Sequence, residues 1–103
     1  MERERWEGRA FYQREGTNQE GSLTIERIQS YRNLVTIQGI GQGKVNFSSD
    51  GSFQGCWAMG DKIFDVDGRA NGDRSAWTGT FEIRDCNGRR VIAGSFEANK
   101  VHD

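Results

Sequence analysis

The chain has 103 residues, of which 14 are glycine and none is proline, and its formal net charge is −1. Isoleucine, valine, threonine and aromatic residues are frequent, whereas only two residues are leucine, so the composition favours strands and excludes a helical bundle. A chain of this length forms one domain with a thin core, and its near-neutral charge argues against a nucleic-acid-binding surface.

Apolar and polar residues alternate in short runs separated by turn residues, the pattern that is typical of strands. The predicted strands, in chain order, span residues 6–13, 22–28, 33–40, 43–48, 52–59, 62–66, 75–84 and 90–98. Within a single domain of residues 1–103, residues 1–5 are expected to be a charged, mobile N-terminus and residues 99–103 a C-terminal tail.

The connections between these strands carry turn signals. Asp50-Gly51 and Gly60-Asp61 predict tight hairpins, and Asn87-Gly88 predicts a type I′ turn in which both residues have positive φ. Residues 14–21 and 67–74 are predicted to be longer polar loops. Because short connections join neighbours in space, the sequence predicts an all-β fold: an antiparallel meander of eight short strands, closed or strongly curled into a small β-barrel.

A large apolar residue precedes a glycine by two positions in four of the predicted strands. These motifs are Trp6-Glu7-Gly8, Phe53-Gln54-Gly55-Cys56-Trp57, Trp77-Thr78-Gly79-Thr80-Phe81 and Ile92-Ala93-Gly94-Ser95-Phe96. Residues two apart in a strand face the same side of the sheet, so each glycine lies among large side chains on the predicted core face. Such glycines either leave room for a neighbouring ring or let the strand bend as the sheet closes.

The aromatic inner face is the candidate ligand site, with Trp6, Trp57 and Trp77 as its main residues and Phe53 as a secondary one. The first hypothesis is a non-enzymatic binding domain that holds a small, partly apolar ligand in a cavity opened by the glycines. The alternative is a filled core in a protein-interaction module or homo-oligomer. That protein would act through an arginine-rich surface, since 11 of the 14 basic residues are arginine, or through strand edges.

Catalytic and metal-binding patterns are weak. The only histidine, His102, is next to last, so a Cys/His or Ser/His/acid site is not expected. Four oxygen-bearing side chains, those of Asp65, Asp67, Asn71 and Asp73, lie within nine residues, but the spacing departs from a calcium-binding loop and a polar turn is the preferred interpretation. We therefore predict no enzymatic activity, no cofactor and no metal.

Compartment and partners follow from the absence of two signals. No apolar run is longer than four residues, and the first residues alternate in charge, so neither a membrane span nor an export signal is predicted. The expected location is cytoplasmic, with Cys56 on the outer face and Cys86 in a turn as free thiols. The expected partner is a small hydrophobic ligand or, alternatively, a protein or a second copy of the chain.

Two short stretches are similar to known families. Gly41-Gln42-Gly43-Lys44, followed by Phe53, Gly55 and Trp57, resembles a MORN repeat, although Phe64-Asp65-Val66 stands where the next Gly-x-Gly of such an array belongs. The eight predicted strands and the early Trp6-Glu7-Gly8 are similar to avidin-like and lipocalin-like barrels. The second resemblance is one of architecture and implies a closed, eight-stranded barrel.

Overall fold

A computed structural model describes residues 3–28 and 33–102. Its regular elements are eight strands: β1 (Arg3–Arg14), β2 (Thr17–Ile28), β3 (Leu34–Ile37), β4 (Gly41–Phe47), β5 (Ser52–Met59), β6 (Lys62–Ala70), β7 (Ala76–Asp85) and β8 (Arg90–Lys100). In these two ranges there is no helix of the length and apolarity needed to cross a membrane.

Each strand pairs antiparallel with the next, and β8 pairs back with β1, so the sheet closes into a barrel. The predicted all-β meander and its closure are therefore confirmed. Alternation along the strands sends one set of side chains inward, where they form one apolar core. The buried core residues are Trp6, Ile25, Val35, Ile37, Val45, Phe53, Trp57, Phe64, Val66, Ala70, Trp77, Ile83, Phe96 and Ala98.

The first hairpin is longer than predicted. Residues 14–21 were expected to be a loop, but β1 continues to Arg14, β2 begins at Thr17, and a two-residue turn joins them. Both turn residues, Glu15 and Gly16, have positive φ, 53° and 76°, as a type I′ hairpin turn requires. The hairpin tip extends beyond the apolar core, so both of its faces are polar and the alternation that identifies strands is missing there.

Residues near both ends of the described chain take part in the sheet. Residues 3–5, expected to belong to a mobile N-terminus, pair with residues 26–28 of β2. Asn99 and Lys100, expected to lie in a tail, belong to β8, and the Val101 amide donates to the Arg5 carbonyl at 2.9 Å. These segments carry few apolar residues, and the ladder to a neighbouring strand orders them instead. Residues 1–2 and 103 of the predicted termini lie outside the described residues.

Two further expectations about connections are wrong. β6 does not end at residue 66 but continues to Ala70, pairing with β7 and reducing the predicted loop 67–74 to residues 71–75. Gly88 has a φ of +82°, whereas Asn87 is not among the residues with positive φ, so their turn is not type I′. The Gly88 amide donates to the Asp85 carbonyl at 3.0 Å, which closes a wider turn ending on a left-handed glycine.

The motif glycines let neighbouring strands approach each other. A methyl group added to Gly8 would lie 1.8 Å from the Glu97 carbonyl oxygen, and one added to Gly94 would lie 2.1 Å from the Phe11 carbonyl oxygen. Gly79 meets backbone in the same way, 2.2 Å from the Asp67 oxygen. The glycines therefore permit the close strand contacts of a tightly coiled barrel, and the expectation that they open a cavity does not hold for these three.

One end of the barrel, which we call the floor, is filled by stacked aromatic rings. Trp6 and Trp77 stack with ring centroids 3.8 Å apart, and Phe47 and Phe53 pack against Trp77 at 5.7 and 5.2 Å. The Arg27 guanidinium lies 4.0 Å from the centre of the Phe47 ring. Burial lowers the pKa of Arg27, although the nearby Glu4 carboxylate opposes that shift. Aromatic rings therefore close the floor, and the Arg27–Glu4 ion pair lies beside them.

Candidate functional site

Above the floor the barrel contains a cavity of about 240 Å³ with mainly apolar walls. Its lower part is lined by Phe47, Phe53, Trp77 and Phe96, and its middle by side chains such as Val45, Trp57, Phe64 and Val66. Polar side chains line it only towards the opposite end, which we call the mouth, where the turns at residues 15–16, 38–40, 60–61 and 86–89 lie. They belong to Tyr12, Arg14, Ser22 and Gln38.

The wall at the mouth is lowest at the β3–β4 hairpin. β3 has only four residues, and it pairs with residues 25–28 of β2, which leaves residues 17–23 of β2 paired with β1 alone in the described chain. On the other side, residues 45–47 of β4 pair with β5, whereas residues 41–44 pair with β3. The cavity therefore meets solvent over a short hairpin flanked by two longer ones.

Trp57 spans the separation between β4 and β5, and Gly43 makes this possible. A methyl group at Gly43 would lie 2.3 Å from the Cδ2 atom of Trp57, so the indole occupies the space of the missing side chain. A methyl group at Gly41, nearer the mouth, would lie 3.8 Å from Trp57 Nε1, and one at Gly55, nearer the floor, 3.3 Å from Cζ3. The N–H edge of the indole is consequently directed towards the mouth.

Three of the four predicted site residues line the cavity. Trp57 forms part of its wall, and Phe53 and Trp77 line it beside the floor. Trp6 is not among the lining residues. It is 1% exposed, lies behind Trp77, and donates its indole N–H to the Glu4 carboxylate at 3.2 Å. Trp6 therefore supports the floor instead of contacting the cavity.

Several cavity residues were missed by the sequence prediction. Tyr12 and Arg14 follow Trp6, Gly8 and Ala10 at every second position of β1, so alternation along a longer strand places them on the inner face. Because the strand was predicted to end at residue 13, Arg14 was not assigned to the inner face. Phe64 and Gln38 carry no motif of their own, and only the closure of the barrel brings them to the same space.

The acidic residues of β6 that were considered for calcium binding lie outside the barrel. Asp65 forms an ion pair with Arg84, and Arg84 Nε lies 3.5 Å from Glu82 Oε1. Asp67 is exposed on the same outer face, two residues along β6. No cluster of three His, Cys, Asp or Glu side chains suited to a metal ion occurs in residues 3–28 and 33–102.

Asn71 and Asp73 order the turn between β6 and β7. The Asn71 side-chain oxygen accepts from the Ser75 and Ala76 amides at 2.9 and 3.1 Å. The Asp73 carboxylate accepts from the Ser75 hydroxyl at 2.6 Å, and this bond lowers the pKa of Asp73. These oxygens thus bind groups of their own turn, as a polar turn requires.

Both cysteines are free and exposed, Cys56 on the outer face and Cys86 in the turn after β7. A hydrogen bond with Asp65 raises the pKa of Cys56, and partial burial adds to the effect. Arg84 acts in the opposite direction. The Cys56 thiol is consequently held in its less reactive, protonated form.

We expect Asp65→Asn to lower the pKa of Cys56 and to speed its reaction with a thiol reagent at neutral pH by about twofold or more. The hydrogen bond that holds the thiol protonated is weakened, while Arg84 is left to favour the thiolate. The rate is measured in a Cys86→Ser background, which leaves one thiol. Asp67→Asn, a change to the next outward residue of β6, is the control and leaves the rate unchanged; equal rates in the two variants contradict the assignment.

The sequence was compared with known protein families and with curated proteins, and neither comparison finds a match. The function is therefore inferred from the geometry of the site itself.

Proposed function

We propose that this protein is a non-enzymatic binding domain that takes up one small, largely apolar molecule inside its barrel. The observation that carries the proposal is the cavity of about 240 Å³ between the aromatic floor and the mouth. Interiors of proteins are normally packed to the density of organic crystals, with few voids larger than a water molecule. A space of this size with apolar walls, in so small a core, therefore favours the uptake of an apolar molecule in place of solvent.

The cavity volume limits the size of the ligand. A buried apolar cavity of about 150 Å³ takes up one benzene molecule, so a cavity of this volume accommodates about ten non-hydrogen atoms. A flat bicyclic aromatic has that size and matches the ring-lined walls. A ligand of this size contributes only a limited free energy, so we expect a dissociation constant of about 1–100 µM.

The test uses naphthalene as the probe and a cavity-filling variant. Val66 lies on the inner face of β6 and lines the cavity, so Val66→Phe fills part of it with a ring. We expect calorimetry to show naphthalene binding to the wild type and binding weakened by at least about tenfold in Val66→Phe. The variant keeps the stability of the wild type within about 1 kcal/mol because the added ring enters empty space.

Val91→Phe is the matched control, because Val91 is 41% exposed on the outside of β8. We expect it to bind naphthalene as the wild type does. Two results contradict the proposal. One is the absence of binding to the wild type. The other is equal binding to both variants combined with a loss of about 1–3 kcal/mol in Val66→Phe, the cost of overpacking a filled core.

A second candidate is a homo-oligomer, and the edge of β2 favours it. Residues 17–23 pair with β1 on one side, and no other described strand pairs with them. A free strand edge is a template for pairing with another chain. Light scattering during size-exclusion chromatography tests this: a stable dimer that is lost when residues 17–23 are disrupted by proline supports it, and a monomer at all concentrations contradicts it.

A cytoplasmic location belongs to the same proposal. It is supported by two free, exposed thiols, which persist best in a reducing compartment.

A further inference from the structure

The indole N–H of Trp57 has no hydrogen-bond partner among the described residues, although the atom is fully buried. The whole residue is only 9% exposed. Buried polar groups nearly always have a partner, and leaving one unpaired is costly. Trp6 shows the usual arrangement, since it donates its indole N–H to Glu4. The unpaired donor of Trp57 is therefore an anomaly that needs an explanation.

The position of this donor supplies the explanation. Trp57 lines the cavity, and its N–H edge is directed towards the mouth, beside Gly41. Side chains that share the wall, such as those of Ile37 and Val45, are hydrocarbon and cannot accept a hydrogen bond. Because the Nε1 atom is itself fully buried, the indole has to tilt towards the cavity for a molecule there to supply the acceptor.

We propose that the ligand carries a hydrogen-bond acceptor and that the Trp57 indole N–H binds it; this inference rests on the proposed function. The acceptor is uncharged, because the walls around Trp57 are apolar and the charged side chain that lines the cavity, Arg14, lies at the mouth on β1, across the barrel from Trp57. The ligand class is thus a flat, neutral heteroaromatic molecule, or an aromatic carbonyl compound, of about ten non-hydrogen atoms. Trp57 sets the orientation, and the apolar walls provide most of the affinity.

Naphthalene, quinoline and isoquinoline are suitable probes because they have the same shape and the latter two carry one ring nitrogen acceptor. Dissociation constants are measured for the wild type and for Trp57→Phe, which removes the donor and keeps an aromatic wall. We expect Trp57→Phe to weaken at least one nitrogen-bearing probe by about 5–30-fold more than it weakens naphthalene. Comparing probes within each variant cancels any change in the cavity's general affinity.

Trp6→Phe is the matched control, because that indole N–H is already bonded to Glu4 and does not line the cavity. We expect Trp6→Phe to change the affinities for the three probes by the same factor. A second readout uses only the wild-type protein, so no substitution can disturb the fold. It follows the NMR signals of the indole N–H groups in protein labelled with ¹⁵N. Quinoline or isoquinoline moves the Trp57 signal downfield of its position with naphthalene, while the Trp6 signal stays in place.

The outcomes separate this inference from the proposed function. If naphthalene binds but neither nitrogen-bearing probe shows the selective loss in Trp57→Phe or the downfield shift, the assignment of Trp57 is wrong and the binding function remains. If none of the three probes binds, both are overturned. Selective loss together with the shift of the Trp57 signal supports both.

Discussion

Gly8→Ala is expected to destabilise the barrel by about 3 kcal/mol or more, the upper end of the cost of overpacking. The added methyl group would lie 1.8 Å from the Glu97 carbonyl oxygen and 2.6 Å from the Ala98 Cα. Both atoms are backbone of β8, the strand that closes the barrel against β1. No side-chain rotation relieves the contact, so the two strands must separate where the barrel closes. Urea unfolding, followed by tryptophan fluorescence, measures the loss.

Gly72→Ala is the matched control for this prediction. Gly72 lies in the β6–β7 turn, and an added methyl group meets no atom within 4 Å. The free energy of unfolding of Gly72→Ala is expected to equal that of the wild type or to exceed it by up to about 1 kcal/mol, because alanine restricts the unfolded chain. If Gly8→Ala is too unstable to purify, that outcome agrees with the prediction. A Gly8→Ala protein as stable as Gly72→Ala shows that the β1–β8 contact is looser than described.

Trp77→Ala is expected to reduce the free energy of unfolding by about 3–5 kcal/mol, the range for removing a large aromatic side chain from a core. Trp77 is 3% exposed and packs between Trp6 on one side and Phe47 and Phe53 on the other. Its removal joins the space of the indole to the cavity and leaves Trp6 without its stacking partner. Urea unfolding again provides the measurement.

Val91→Ala is the control for the loss of a large side chain outside the core. Val91 is 41% exposed, so its truncation is expected to change stability by no more than about 0.5 kcal/mol. Trp77→Phe, a milder change at the same site, keeps the protein folded and lengthens the cavity towards Trp6. A Trp77→Ala protein within about 1 kcal/mol of the wild type contradicts the description of the floor as tightly packed.

Alternation and turn residues were sufficient to predict the class of fold. The Gly60-Asp61 hairpin is present as predicted, with Met59 opposite Lys62 and a positive φ at Gly60. The strand ends were harder to predict, for two reasons. The tip of the first hairpin projects beyond the core, so its side chains, such as that of Gln19, are polar on both faces and show no alternation. The end of β6 does reach the core, but its inner face there carries only the small residues Gly68 and Ala70, which give a weak apolar signal.

The aromatic inner face was also predictable, but the division of its rings between core and cavity was not. Trp6 and Trp57 have the same spacing to a glycine, yet Trp6 is stacked against the floor and Trp57 lines the cavity. The difference comes from the opposing strands. Gly43 on β4 leaves room for the Trp57 ring, whereas Trp6 meets Trp77. Contacts of this kind depend on strand register, which one sequence does not specify.

The most direct test of the binding function locates naphthalene on the protein. In a ¹³C-filtered nuclear Overhauser experiment, the protons of bound naphthalene give contacts only to protein protons within about 5 Å. We expect contacts to methyl groups that line the cavity, those of Val45, Val66 and Ile83, and none to the outward-facing Ile63 or Val91. Contacts confined to Ile63, Val91 or other outer side chains, or no contacts at saturating naphthalene, would show that the barrel interior is not a ligand site.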